Sequence, residues 1–238
     1  MASFRLAIFT AVLFAFSATN IVGQDSPHTE ESADVTSKMH YLLHLPKAYK
    51  NDTDKKWPLL IFLHGAGERG NNLDLVKKWG PPKQAEENKE LPFIVVSPQC
   101  PVRTYWNIEQ LNQLIDSVIK NNRVDTDRVY LTGLSMGGYG TWGLAALHPE
   151  KFAAIAPICG GGDPESAELL VDLPIWAFHG GADKVVPVEG TTKIVEAIKA
   201  KGGTKIKMTI YEGVGHNSWS QTYANPKLYE WFLQQKRK

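Results

Sequence analysis

The 238-residue chain has little that would tie it to a charged partner, a metal or a membrane. Its 26 Lys and Arg stand against 25 Asp and Glu, a formal net charge of +1. Nucleic-acid-binding domains show a basic excess or stripe, so this balance gives no reason to expect nucleic acid or an anionic membrane as partner. Only two cysteines occur, Cys100 and Cys159, and neither sits in the closely spaced Cys/His sets that hold zinc, so no metal site is expected. The 20 glycines follow no three-residue period and 43% of residues are apolar, which excludes collagen-like and disordered chains. Repeats and low-complexity linkers are also missing, and one domain is expected.

What is present begins with a processing signal. Arg5 precedes an apolar run from Leu6 to Phe16 that is broken only by Thr10. A bilayer-spanning helix needs roughly 20 apolar residues, so the run is too short to cross and stable membrane association is not expected. A basic start, a short apolar core and small residues up to Gly23 fit a secretory signal peptide over 1–23. The polar segment 24–38 then reads as a flexible leader, and 39–238 as the folded domain of a secreted or periplasmic protein. In an oxidising compartment two cysteines permit one disulfide, and two buried free thiols are an equal alternative.

Short apolar blocks alternate with amphipathic segments. Strands are expected at His40 to Leu45, Leu59 to Leu63, Phe93 to Ser97, Val129 to Thr132, Ala154 to Ile158, Ile175 to His179 and Lys207 to Tyr211. Five are continuous apolar blocks, as in strands covered on both faces; the first and last alternate more and belong near the edges. Helices are expected over Asn107 to Asn122, Thr191 to Lys201 and about Pro226 to Gln234, the first opened by an Asn107/Gln110 capping pattern. Alternating strands and helices imply an α/β fold with a mostly parallel central sheet flanked by helices on both faces.

In such a sheet the ligand site lies beyond the carboxyl ends of the strands. Four strand ends carry reactive chemistry. Val129 to Thr132 runs into Gly133-Leu134-Ser135-Met136-Gly137, a strand, a sharp glycine turn and a helix that would present Ser135 as nucleophile. His64-Gly65-Ala66-Gly67 follows another strand, and the Ala66 and Met136 amides are the expected oxyanion donors, with His64 a structural ring beneath the loop. Asp183, after Ile175 to His179, is the expected partner of the histidine, with Asp163 as its rival; His179 reads as structural. His216, in the glycine-rich loop after the last strand, is the expected general base. Ser135, Asp183 and His216 keep the chain order that accompanies the nucleophile elbow.

Together with Leu63-His64-Gly65-Ala66-Gly67-Glu68-Arg69-Gly70, Ser97-Pro98-Gln99-Cys100-Pro101 and Ile158-Cys159-Gly160-Gly161-Gly162, these motifs resemble the α/β-hydrolase superfamily. The likeness is to secreted phospholipase/carboxylesterase-type hydrolases, also labelled predicted peptidases, and more loosely to feruloyl and acetylxylan esterases and the catalytic domain of prolyl oligopeptidases. The resemblance covers about Met39 to the C-terminus. It implies cofactor-free ester hydrolysis through an acyl-enzyme, on small-molecule or polysaccharide-linked esters.

No insertion between the elbow and Asp183 is long enough for a large lid. Trp106 and Trp219, with Tyr105, are candidate substrate-stacking rings or core residues under the loops, whereas Tyr139 and Trp142 read as core. Arg69 and Glu68 either contact substrate or pair with each other. A serine peptidase and a non-catalytic carbohydrate-binding protein on the same scaffold are the alternative functions.

Overall fold

The computed structural model describes residues 27–34, 38–87 and 90–237. Its strands are β1 (His28–Asp34), β2 (Lys38–His44), β3 (Trp57–Leu63), β4 (Ile94–Pro98), β5 (Val124–Leu134), β6 (Ala154–Ile158), β7 (Ile175–Gly180) and β8 (Ile206–Tyr211). The α-helices are α1 (Gly80–Glu86), α2 (Ile108–Asn121), α3 (Met136–Leu147), α4 (Glu189–Ala200), α5 (Trp219–Ala224) and α6 (Pro226–Gln234).

The most apolar blocks lie in the middle of the sheet because only there are both strand faces covered. β3, β4 and β6 are buried at every residue, and β5 from Val129 onward. The sheet order is β1-β2-β4-β3-β5-β6-β7-β8, parallel from β4 to β8, with β1 and β2 antiparallel at one end. Helices α2, α3 and α4 cover one face through Leu111, Ile115, Trp142, Ile194 and Ile198. Helices α1, α5 and α6 cover the other through Ala85, Tyr223, Leu228 and Phe232. This is the expected α/β-hydrolase architecture. Between the elbow and Asp183 the chain is used up by α3, two short 3-10 segments, β6 and β7, which leaves no residues for a large lid.

Local sequence sets the helix ends. The Asn107 side chain accepts from the Gln110 N–H at 3.0 Å, and Leu111, Leu114, Ile115 and Val118 form the buried stripe of α2. Helix α6 starts at Pro226, where a missing N–H costs nothing, with Asn225 capping Lys227 N–H.

Two expectations need correction. The leader 24–38 is not loose throughout: residues 28–34 form β1, paired with β2 from His28↔His44 to Asp34↔Lys38. The backbone ladder holds an edge strand without an apolar run, and β1 anchors itself through the buried Ala33 and the buried His28 ring, whose Nε2 lies 2.9 Å from Pro82 O. Strand β2 is therefore second from the edge, while β8 does lie at one. The expected signal peptide, 1–23, lies outside the described residues.

The cysteine alternatives resolve to two buried free thiols. Cys100 follows β4 and Cys159 follows β6, with β3 and β5 between them; three strand spacings of about 4.8 Å exceed the roughly 7 Å Cα separation a bridge tolerates. The two side chains also join opposite layers of the core.

Candidate active site

All the strand ends singled out in the sequence meet at one edge of the sheet. At the end of β5 the chain turns sharply into α3, and Ser135 sits at φ 53°, ψ −116°, a conformation rare for a residue with a Cβ. The flanking glycines make the turn possible. A Cβ on Gly133 would lie 2.4 Å from Gly137 O, and one on Gly137 would lie 1.9 Å from Leu63 O. Ser135 N–H donates to Ile158 O at 2.9 Å, tying the turn to the end of β6.

The half-buried Ser135 lies with its Oγ 3.0 Å from His216 Nε2, and His216 Nδ1 lies 2.7 Å from Asp183 Oδ2. The Asp183 side chain is fully buried, and that of His216 retains 18% of its exposure. Burial by itself would push the Asp183 carboxyl up. Hydrogen bonds from His216 and from the Val186 and Val185 N–H groups outweigh it and hold the carboxyl below its ordinary value. Asp163 is elsewhere: exposed, it caps the 3-10 segment Pro164–Leu170 by accepting from Glu165 N–H at 3.0 Å.

The loop after β3 closes over a structural ring. His64 is 1% exposed, with Nδ1 2.6 Å from Gly65 O and Nε2 accepting from Cys100 N–H at 3.0 Å. A backbone amide can only donate, so Nδ1 carries the hydrogen. Burial, only partly offset by the Gly65 hydrogen bond, pushes His64 down to about 4, and the ring is neutral near pH 7. Because C=O and N–H point opposite ways across a trans peptide, a Gly65 carbonyl turned toward His64 directs Ala66 N–H away from that ring. Arg69 braces the same loop, with Nε donating to Ala66 O at 2.9 Å and Nη1 to Thr104 O at 3.1 Å.

The aromatic expectations divide. Trp106 is a core residue, 8% exposed, its ring 4.8 Å from that of His64 and its Nε1–H on His64 O at 3.3 Å, so the cleft-lining expectation is corrected. Gly140 makes the room: a Cβ there would lie 2.8 Å from the Trp106 ring. Trp219 does lie at the site, half-buried and edge-on to His216 with centroids 5.2 Å apart. Trp142 is core as expected, but Tyr139, one helical turn after Ser135, is 49% exposed, and Tyr105 is 79% exposed. Glu68 does not pair with Arg69. It is buried beside Trp79, and burial raises its carboxyl despite the opposing charge of Lys78. Trp79, unremarked in the sequence, packs edge-on against Trp219 at 5.9 Å and continues that wall.

Comparison with known proteins fits this geometry. The profile of the dienelactone hydrolase family matches residues 20–227. The crystal structure of a thermostable esterase is similar at a TM-score of 0.76 and 34% identity, covering 89% of this chain and 64% of that one. A bifunctional acetylxylan esterase/xylanase of Neocallimastix patriciarum is 32% identical over 57% of this chain and 21% of its own length. Poly(3-hydroxyalkanoate) depolymerase C of Paucimonas lemoignei is 27% identical over 66% of this chain and 40% of its own length. This chain thus spans less than half of either relative. With the profile running from before β1 into α6, the chain belongs to the dienelactone hydrolase family of the α/β-hydrolase superfamily.

Proposed function

We propose that this protein is a serine-dependent carboxylic ester hydrolase working through an acyl-enzyme. The observation that carries the reading is the unbroken line from Ser135 Oγ through both nitrogens of His216 to the buried Asp183 carboxylate. His216 Nε2 takes the Ser135 proton as Oγ adds to the ester carbonyl carbon, and the resulting oxyanion is held by the Met136 and Ala66 N–H groups. The tetrahedral adduct collapses to the acyl-serine, and the departing alcohol takes the proton from His216. Water then adds to the acyl carbon, giving its proton to His216, and the carboxylic acid leaves as Ser135 recovers its own. Asp183 keeps the hydrogen on Nδ1 throughout and stabilises the imidazolium. The atoms balance without a cofactor.

For substrate we infer an ester carried on a sugar or polymer. Among the described residues no long insertion between the elbow and Asp183 covers the site, Tyr105 and Tyr139 are exposed, and the two relatives above are named for polymer-linked esters. Trp219 beside His216 is the ring offered for stacking. The basic start and short apolar run over 5–16 support export to the cell exterior or periplasm. Among the described residues no helix is long and apolar enough to cross a membrane.

The test is intact mass after treatment with a fluorophosphonate, followed by peptide mapping, beside hydrolysis of a matched ester and amide. One adduct on Ser135, none in Ser135→Ala, and preference for the ester are expected. Turnover by Ser135→Ala at the wild-type rate would overturn the reading.

A further inference from the structure

Asp183 meets more donors than the reaction above needs. Its Oδ1 accepts from Val185 N–H at 2.8 Å and Val186 N–H at 2.9 Å. Its Oδ2 lies 2.7 Å from His216 Nδ1 and also 3.2 Å from Nε2 of a second histidine, His179. That ring stands at the end of β7, its side chain as fully buried as the carboxylate it faces.

Hydrogen-bond bookkeeping assigns the Nε2 hydrogen of His179. Nε2 faces two acceptors, the Asp183 carboxylate and Val186 O at 2.9 Å, so it carries a hydrogen. Nδ1 lies 2.7 Å from Thr191 Oγ1, a hydroxyl that is itself 2.9 Å from Gly160 O. The Thr191 hydroxyl donates to Gly160 O, which also accepts from Trp142 Nε1–H at 3.1 Å, and its oxygen stays within hydrogen-bond distance of Nδ1. Every polar atom of this buried set then has a partner.

We propose that His179 is a positioning residue for the general base: its Nε2–H shares Asp183 Oδ2 with His216, and Thr191 of α4 fixes the plane of its ring. The inference rests on the serine-hydrolase reading. Sharing does two things. It holds Oδ2 toward His216 Nδ1, and it withdraws part of the carboxylate charge that would otherwise stabilise the His216 imidazolium. The other titratable group facing Asp183 is the Cys159 thiol after β6, which burial holds at about 12 and which stays neutral over the working range. Helix α4 presents the Thr191 hydroxyl to the ring.

The experiment compares His179→Phe, His179→Gln and Thr191→Val in the full chain, reading kcat, KM and the pH dependence of kcat/KM on p-nitrophenyl acetate, with thermal melts. His179→Phe should lower kcat about 10- to 100-fold with KM nearly unchanged. Its acid limb should move to higher pH, because His216 then has the carboxylate to itself. His179→Gln keeps an N–H at the position of Nε2 and should restore both. Thr191→Val should move the limb the same way with a smaller loss of kcat. A folded His179→Phe with wild-type kcat and limb would overturn the proposal, as would a lowered melting temperature with an unmoved limb. Should His179→Phe not fold, Thr191→Val decides on the same criteria. Ser135→Ala in parallel separates the two readings: activity there sinks the serine mechanism and this inference with it. An inactive Ser135→Ala beside unmoved His179 and Thr191 profiles sinks the inference alone.

Discussion

Adding one methyl group at Gly137 would drive the elbow helix into the end of β3. The Cβ would lie 1.9 Å from Leu63 O, 2.5 Å from Leu63 C and 2.8 Å from His64 O, where real Cβ atoms essentially never approach within 3.0 Å. All three are backbone atoms of the segment that leads into the Gly65-Ala66 loop, so no side chain can swing away. Reaching even the tightest real separation requires the helix and the loop to part by about 1 Å, and a misplacement of that size at a reacting centre costs about 100-fold in rate. Gly137→Ala should therefore lose at least that factor in kcat/KM and label slowly with fluorophosphonate, beside a clear fall in melting temperature. Gly143, in the same helix, is the control: a Cβ there meets only the Ile108 side chain at 3.5 Å. Gly143→Ala should keep full activity and gain about 0.5–1 kcal/mol, because alanine has less chain entropy to lose. Wild-type rate and melting temperature in Gly137→Ala would refute the close approach of the elbow and the segment leading into the Gly65-Ala66 loop.

Three further outcomes follow from the same geometry. Asp183→Asn replaces an acceptor of four N–H groups with an amide and should lower kcat about 10³- to 10⁴-fold in steady-state ester hydrolysis; a loss under tenfold would remove Asp183 from the mechanism. Burial holds His28 and His64 at about 4, against 6.5 for a free ring, and lowers His44 as well. The unfolded chain takes up these protons first, so their stability is complete above about pH 6.5 and is lost as pH falls toward 4. Near pH 5 the first two rings alone give a slope of roughly 2–3 kcal/mol per pH unit, opposed by at most one proton on the raised Glu68. Melts from pH 7.5 to 4.5 should show the decline, and a flat melting temperature would contradict neutral buried rings. Finally, Cys100 and Cys159 should resist a thiol reagent in native protein and give two thiols per chain in guanidinium, because burial raises both, Cys159 to about 12. Fast labelling of the native protein would be inconsistent with that burial.

The Ser135–His216–Asp183 line was legible because each member stands just after an apolar block, and such blocks become neighbouring parallel strands whose carboxyl ends share an edge. Ser135, Asp183 and His216 are far apart in sequence, yet β5, β7 and β8 bring their loops together. Strand β1 was not legible. Its sequence, His28 to Asp34, carries three acidic residues and one small apolar one, and hydropathy does not register a strand held by its backbone ladder and one buried ring. The Asp183–His179 contact was invisible for a related reason. A histidine at a strand end reads as structural, and only the folded arrangement brings its Nε2 to the Asp183 oxygen that also faces His216.

Side chains that would select a substrate were the least legible, because loop residues take their orientation from what lies beneath them. Trp106 turns inward where Gly140 leaves a slot without a Cβ, and its indole N–H finds His64 O. Trp219, in the loop after β8, stays at the site because Trp79 backs it and His216 receives its edge. Trp79 itself carried no signal, lying between two lysines and the glycine that opens α1. Tyr139 is exposed although α3 is apolar on nearly every side, since such a helix has no polar face from which to read its orientation. The ring wall beside His216 is thus set by glycine positions and ring-on-ring packing, whereas the Ser135–His216–Asp183 line is set by sheet topology. On the serine-hydrolase reading, swaps at Trp79, Tyr139 or Trp219 leave the separation of Ser135 and His216 unchanged and should alter KM across an ester panel far more than kcat.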